Sequence, residues 1–313
     1  MTFDIGEQRM SSVILITGSS TGLGRLATET LARAGHIVYA SMRDIAGKNS
    51  EAASELDRIA TEQHLDIRTL ELDVQSSDSV QAGVDQVLRE EGRIDVAVNN
   101  AGVMSIGLAE GFTEEQVAYQ MDVNFMGTVR VSRAVLPSMR TANSGLLISV
   151  TSIVGRVLFP ACAFYCASKF AQEAYAEVLN YELAGTGVQS VVVEPGPYPT
   201  HLLANSPGPI EVQRLQGYGA LATLRDQFLA HFAQLFNSAD APDPQEVADA
   251  ILWLVGLPAG ERPMRTVCGL DFGANKLNDT IAPMQADVLR ALGMEQMIHQ
   301  LATNHRGKAA GSA

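Results

Sequence analysis

Val13-Ile-Leu-Ile-Thr17 runs directly into Gly18-Ser-Ser-Thr-Gly22-Leu-Gly24, and the helix-compatible stretch Leu23–Ala34 follows at once. The first five residues are continuously apolar or β-branched. They read as a strand covered on both faces, because a half-exposed strand would alternate with polar residues. The glycines permit a sharp turn and a close backbone approach, while a helix N-terminus offers unpaired N–H groups and a positive dipole end. Strand, glycine loop and helix in this order describe a cradle for the pyrophosphate of a dinucleotide. Gly18, Ser20, Thr21, Gly22, Leu23 and Gly24 are the expected contacts. The same stretch also matches the G-x-S-x-G turn of a hydrolase nucleophile. That alternative leaves Gly24 unexplained and places the nucleophile on the first strand, so the phosphate loop is the better reading.

Working outward, short apolar runs recur at Ile37–Ser41, Ile67–Leu72, Ile94–Val98, Leu146–Val150 and Val188–Val193, with a last one near Arg265–Cys268. Helix-compatible segments such as Ser77–Arg89 and Phe164–Leu183 separate them. Strand–helix alternation implies right-handed crossovers and an α/β fold, a Rossmann-type doubly wound parallel sheet. The rhythm breaks over Thr200–Ala241, which is rich in Gly and Pro before a helix-like Leu221–Phe236. It reads as a C-terminal substrate-binding lid. Pro244–Val255 is helical in period, Pro283–Leu301 is expected to be a terminal amphipathic helix, and Asn304–Ala313 a disordered tail. Residues 1–313 are expected to form one domain.

Composition narrows the class. With 46% hydrophobic and 18% charged residues among 313, the chain can build an extensive core and is not globally disordered. A formal charge of −13 speaks against nucleic-acid or anionic-membrane partners. Three cysteines are too few for a disulfide scaffold, and Cys162 and Cys166 read as packing residues. The opening residues MTFDIGEQRM lack a signal peptide's pattern, and no apolar run reaches the ~18 residues of a membrane span, so a cytoplasmic protein is expected. The six histidines form no H-E-x-x-H or Cys/His cluster, and no metal is expected.

Tyr165 and Lys169 stand four apart on the predicted helix and share a face. An ammonium beside a phenol favours phenolate, so this tyrosine is suited to exchange a proton with a reacting oxygen. Ser152, near the end of the fifth predicted strand, is placed to hold that oxygen by a hydrogen bond.

Thr17–Gly24, Asn99-Asn-Ala-Gly102, Ser152, Tyr165-x-x-x-Lys169 and Pro195-Gly196, in this order and spacing, resemble the short-chain dehydrogenase/reductase family. The resemblance covers Val13 to Thr200 strongly and reaches Cys268 more loosely. It implies that Tyr165 is the general acid/base, that Lys169 lowers its pKa and holds the nicotinamide ribose, and that Ser152 orients the substrate carbonyl. It also implies that Asn124, in Asp122-Val-Asn-Phe-Met-Gly127, completes the set by supporting a proton-relay water. Asp73 and Val74 match the pair that contacts adenine. Asn100, Ala101 and Gly102 would pass along the adenosine ribose, and Pro195, Gly196 and Tyr198 would abut the nicotinamide. One departure is Pro195-Gly-Pro-Tyr-Pro-Thr200, where many members read P-G-x-[IV]-x-T. Its prolines stiffen the loop and remove three N–H donors, leaving the Tyr198 N–H and the Thr200 hydroxyl for the carboxamide and a phosphate.

Cofactor choice turns on the end of the second strand. An acid there pairs with the adenosine 2′-OH, whereas an arginine accommodates a 2′-phosphate. By comparison with the family the selective acid would fall at Met42, and Arg43 follows, so NADP(H) is preferred, with NAD(H) the alternative. Asp44 would weaken that preference by pairing with Arg43. Within the family, Val38–Asp44, Val123–Arg130 and Tyr165–Ala171 resemble the branch of 17β-hydroxysteroid and retinol dehydrogenases. In the lid, Leu202, Leu203, Ile210, Leu215, Tyr218, Leu224, Phe228 and Phe232 are expected to wall an apolar pocket. The expected activity interconverts a hydrophobic ketone or aldehyde with its alcohol. A dinucleotide-binding redox sensor without turnover, or non-redox chemistry on the same fold, are the alternatives. The long helix Phe164–Leu183 is expected to pair with a second copy in a homodimer or homotetramer, as the family commonly does.

Overall fold

A computed structural model describes residues 11–297. Seven parallel strands form one sheet in the order β3-β2-β1-β4-β5-β6-β7. They are β1 (Val13–Thr17), β2 (Ile37–Met42), β3 (Ile67–Glu71), β4 (Val96–Asn99), β5 (Gly145–Val150), β6 (Val188–Pro195) and β7 (Arg265–Cys268). The principal helices are α1 (Gly22–Arg33), α2 (Ser50–Gln63), α3 (Ser77–Glu91), α4 (Glu114–Met121), α5 (Gly127–Thr141) and α6 (Ala163–Glu182). After β6 come α7 (His201–Ala204), α8 (Leu224–Phe236), α9 (Gln245–Gly256) and α10 (Ala274–Ala291).

The continuous apolar reading of β1 is explained by its two faces. Ile14 and Ile16 enter one core with Leu31 of α1 and Ile251 of α9. Val13 and Leu15 enter the opposite core with Val84 of α3 and Val135 of α5. Helices therefore cover both sides of the sheet. Local signals set the boundaries: Ser76 caps α3 and left-handed Gly92 ends it, while Thr113 and Gln116 form a reciprocal capping box at α4.

The strand order reverses between β1 and β4, and in an open parallel sheet that reversal leaves a crevice at the C-terminal strand ends. One expected element is corrected. Among the described residues the last α-helix is not one that begins at Pro283, as expected of Pro283–Leu301, but α10, beginning at Ala274 and running through Pro283 to Ala291. Asp271 sets the start by accepting the Gly273 N–H, and exposed Pro283 is tolerated because the carbonyl its ring leaves unpaired faces water. Residues 298–301 and the Asn304–Ala313 tail lie outside the described residues.

Candidate active site

A cavity of about 690 Å³ follows the C-terminal strand ends. All the residues expected at the cofactor line it, from Gly18 to Thr200, as do Ser152, Tyr165 and Lys169, while Asn124 does not. The glycine loop is built on close approach. A Cβ at Gly24 would lie 2.3 Å from the Gly18 carbonyl oxygen and 2.4 Å from the Asn100 amide, and one at Gly18 would lie 2.9 Å from Ala101 Cα. Gly18 and Gly22 also take positive φ, at 71° and 57°. The Asn100 side chain donates to the Thr17 and Gly18 carbonyls at 2.9 and 3.2 Å, so it braces the loop. Thr200 stands across the loop, its Cβ 3.7 Å from the position a Gly22 Cβ would take. These glycines leave bare backbone facing the cavity, which fits a pyrophosphate at the α1 N-terminus.

At the end of β2, Arg43 and Lys48 both line the cavity. Asp44 does not pair with Arg43. Its carboxylate accepts the Lys48 N–H at 2.9 Å, and its own N–H donates to Glu71. Arg43 instead donates to Gln75 at 3.3 Å, and its carbonyl accepts from the Asn49 amide.

The residues expected to react come from two elements. Ser152 follows β5 and caps a single 3₁₀ turn, Ile153–Gly155, and its hydroxyl donates to the Pro195 carbonyl at 3.2 Å. Tyr165 and Lys169 sit on the first turns of α6. All three are under one-tenth exposed, at 8%, 6% and 4%. Lys169 Nζ lies 5.9 Å from the Tyr165 ring centroid and donates to the Val150 carbonyl and Gln172 Oε1, at 3.0 and 3.1 Å. Burial lowers the lysine to about 8, with the charge of Glu173 opposing the fall.

The lowering expected for Tyr165 is not what the structure shows. Burial pushes its phenol well above the usual range, and hydrogen bonding with Ser152 only partly offsets this. The ammonium is turned to Val150 and Gln172 rather than to the phenol. Asn124 lies in a π-helical turn, Asp122–Met126, fully buried. Its amide exchanges hydrogen bonds with both backbone groups of Val103 and donates to Ser168, stitching α6 to the loop after β4. Tyr198 lines the cavity while its hydroxyl donates to Glu246 at 2.9 Å, and the Thr200 N–H is given to the Tyr198 carbonyl.

Of the eight lid residues, Leu202, Leu203, Phe228 and Phe232 line the cavity. Ile210, Leu215, Tyr218 and Leu224 do not. Leu215 packs on Gly111, and Tyr218 donates to Glu110, so they anchor the segment to the chain after β4. Phe159 and Phe236, missed in the sequence, complete an aromatic cluster in which Phe159 stacks on Phe232. Phe159 falls between Ser152 and Tyr165, and that position was the available signal. Cys162 is buried, its thiol pushed up to about 12, as a packing residue would be. No group of three or more metal-ligating side chains occurs among the described residues, nor any helix long and apolar enough to cross a membrane.

The family model for short chain dehydrogenases matches residues 12–208. A 3-ketodihydrosphingosine reductase of Bacteroides thetaiotaomicron is 40% identical over 193 residues, covering 62% of this chain and 66% of that protein. Human 17-beta-hydroxysteroid dehydrogenase type 1 is 37% identical over 253 residues, 79% of this chain and 75% of the human protein. Among solved structures, a short-chain dehydrogenase from Streptomyces avermitilis superposes with a TM-score of 0.71 at 26% identity, covering 91% and 98% of the two chains. An alcohol dehydrogenase from Thermococcus sibiricus, solved with 5-hydroxy-NADP, gives 0.66 at 25% identity and 83% and 96% coverage. With the glycine cradle, the sheet order and these matches in agreement, the chain belongs to the short-chain dehydrogenase family and is an oxidoreductase served by a nicotinamide dinucleotide.

Proposed function

We propose that the protein is an NADP(H)-dependent oxidoreductase interconverting a carbonyl and an alcohol on a neutral, hydrophobic substrate, with Tyr165 as general acid/base. The observation that carries this reading is that buried Ser152, Tyr165 and Lys169 meet on one cavity whose other end is the glycine loop. A bound nicotinamide supplies or accepts the hydride. Tyr165 gives a proton to the carbonyl oxygen during reduction and takes it back during oxidation. Ser152 orients that oxygen. Burial holds the Tyr165 phenol high, and a charged Lys169, 5.9 Å from the ring centroid, is the nearby group that favours phenolate. Asn124 keeps α6 and the loop after β4 in register, and a relay water at its carbonyl belongs to the same reading.

The NADP(H) preference is supported by two cations, Arg43 and Lys48, at the end of β2, while Asp44 and Glu71 are occupied with backbone N–H groups. At the substrate end, Phe159, Leu202, Leu203, Phe228, Phe232 and Phe236 supply apolar wall. Among the described lining residues, formal charges occur only at Arg43, Lys48, Asp73 and Lys169, at the cofactor end and the reacting centre. Apart from the imidazole of His201, an ionised substrate would meet no ionisable partner among those apolar side chains, and its desolvation costs several kcal/mol by order of magnitude, so a neutral one is favoured. Residues 200–241 act as the substrate lid of a single cytoplasmic domain. Phe170 and Val178, 39% and 50% exposed on α6, suit pairing with a second copy in a homodimer or homotetramer.

The test follows NADPH and NADH absorbance with a panel of apolar ketones and aldehydes, with Tyr165→Phe beside the wild type. Tyr165-dependent oxidation of NADPH is expected, with turnover lost by about 10²–10⁴-fold in the variant and cofactor binding retained. Cofactor binding without turnover on any substrate would favour a sensor, and an NADH preference would overturn the role given to Arg43.

A further inference from the structure

Beneath the reacting residues lies a buried ionic cluster that the reaction as described does not use. Glu173 stands one helical turn beyond Lys169 on α6, its side chain 2% exposed. Arg265 of β7 pairs with Glu173 at 3.0 Å, with Glu177 at 2.6 Å and with Glu194 of β6 at 3.3 Å. Arg156, after the Ser152 turn, adds a second cation. It donates to Asn278 of α10, which in turn donates to Glu194. Three carboxylates thus share two guanidinium groups.

The cluster reaches the active site through three consecutive residues. The Val150 carbonyl accepts from Lys169, the Thr151 hydroxyl donates to Glu173 at 2.5 Å, and the Ser152 hydroxyl donates to the Pro195 carbonyl. Packing leaves no slack between them. A Cβ at Gly155 would lie 2.8 Å from Glu173 Cγ and 3.1 Å from the Lys169 carbonyl oxygen. Glu173 therefore meets Lys169 and Glu177 on its own helix, Arg265 from β7, Glu194 from β6, and Thr151 and Arg156 from the segment after β5.

We propose that Glu173 is a positioning residue: held by Thr151 and Arg265, its carboxylate keeps Lys169 charged in a buried site and ties it to the Ser152 turn. The assignment rests on Lys169 serving the reaction. A buried ammonium loses hydration and needs a fixed negative neighbour to stay protonated. The direction of Glu173's influence on Lys169 agrees. Burial raises the carboxyls of both Glu173 and Glu194; at Glu173 the charge of Arg265 and the Thr151 hydrogen bond oppose the rise, whereas Glu194 is pushed up further by the charge of Glu173.

The chain has four lysines, so a titration of the full-length protein labelled at its lysine side chains, followed by NMR, reads Lys169 directly after assignment with Lys169→Met. In Glu173→Gln the Lys169 signal is expected to titrate at lower pH than in wild type, whereas Glu177→Gln, one turn further on, moves it less. Thr151→Val, which frees the carboxylate without removing it, should shift it in the same direction and serves if Glu173→Gln does not fold. The limb of the kcat profile that follows Lys169 should move with the signal. A melting temperature that falls with the Lys169 titration unmoved in both variants would reduce Glu173 to a structural role and overturn the proposal. Absence of Tyr165-dependent turnover in the wild type would instead strike the proposed reaction and leave the titration result standing.

Discussion

At the glycine loop a methyl group has nowhere to go, whereas at the far end of the same cavity six apolar side chains meet one another and can adjust. The neighbours of Gly24 and Gly18 include backbone atoms, which cannot rotate aside. The lid's neighbours are rings and aliphatic ends. Phe228 and Phe232 are tilted at 4.8 Å between centroids, and Phe159 reaches both. The contrast separates two kinds of specification. A constant ligand is recognised by backbone held at one distance, and a variable one by side-chain volume that substitution can retune.

The sharpest way to break this contrast is Gly24→Ala. We expect a loss of about 4 kcal/mol in stability and loss of cofactor binding, because the clash is with backbone. Denaturant unfolding and a cofactor titration check it; near-normal values in both would mean the loop is as adaptable as the lid. Phe232→Ala should cost about 3 kcal/mol by leaving a cavity among stacked rings. It should raise KM for bulky substrates while the cofactor Kd holds, and an equal loss in both would merge the two regions.

Arg43→Ala sharpens the cofactor side. Losing charge-assisted bonds to a 2′-phosphate is worth about 1.5–3 kcal/mol, so the NADPH-to-NADH ratio of kcat/KM should fall by about 10–100-fold. An unchanged ratio would transfer the selection to Lys48. A pH-dependent effect is expected at Glu194→Gln. Burial, with the charge of Glu173, pushes the Glu194 carboxyl up to about 8 in the folded protein, whereas an unfolded glutamate releases its proton near ~4.3. Between those values the folded state binds more protons, so wild-type stability falls as pH rises through the window and levels off above it. Glutamine mimics the protonated form and removes that slope. Melting curves at about pH 5 and pH 8 should therefore converge on the variant, and an unaltered difference would show that Glu194 is ionised throughout.

Much of this was legible from residue order. Thr17–Gly24 and the recurring apolar runs gave away the sheet because a strand covered on both faces has no polar alternation to conceal it. Ser152, Tyr165 and Lys169 were legible through their spacing. Residues 200–241 were legible as an interruption of the strand–helix rhythm but not in their detail. Ile210 and Phe236 are both apolar and both near a helix or turn, yet only Phe236 faces the cavity, because the segment is pinned at Gly111 and Glu110 by contacts distant in sequence. The start of α10 was misplaced because Pro283 reads as a helix start, and whether a proline is tolerated inside depends on which side meets water.

Residue order alone was enough for the strand–loop–helix cradle and the doubly wound sheet, both consequences of local backbone freedom and hydrophobic period, and it supplied the side chains proposed to react through their spacing. Only the tertiary structure decided the charge state those side chains inhabit. Tyr165 and Lys169 predict a lowered phenol when read four apart on a helix, but burial raises that phenol and turns the ammonium toward Val150 and Gln172. Glu173, Glu194 and Arg265 lie on three separate elements, and nothing in their spacing announces that they meet. Desolvation depends on everything packed around a group, and that is a property of the assembled fold.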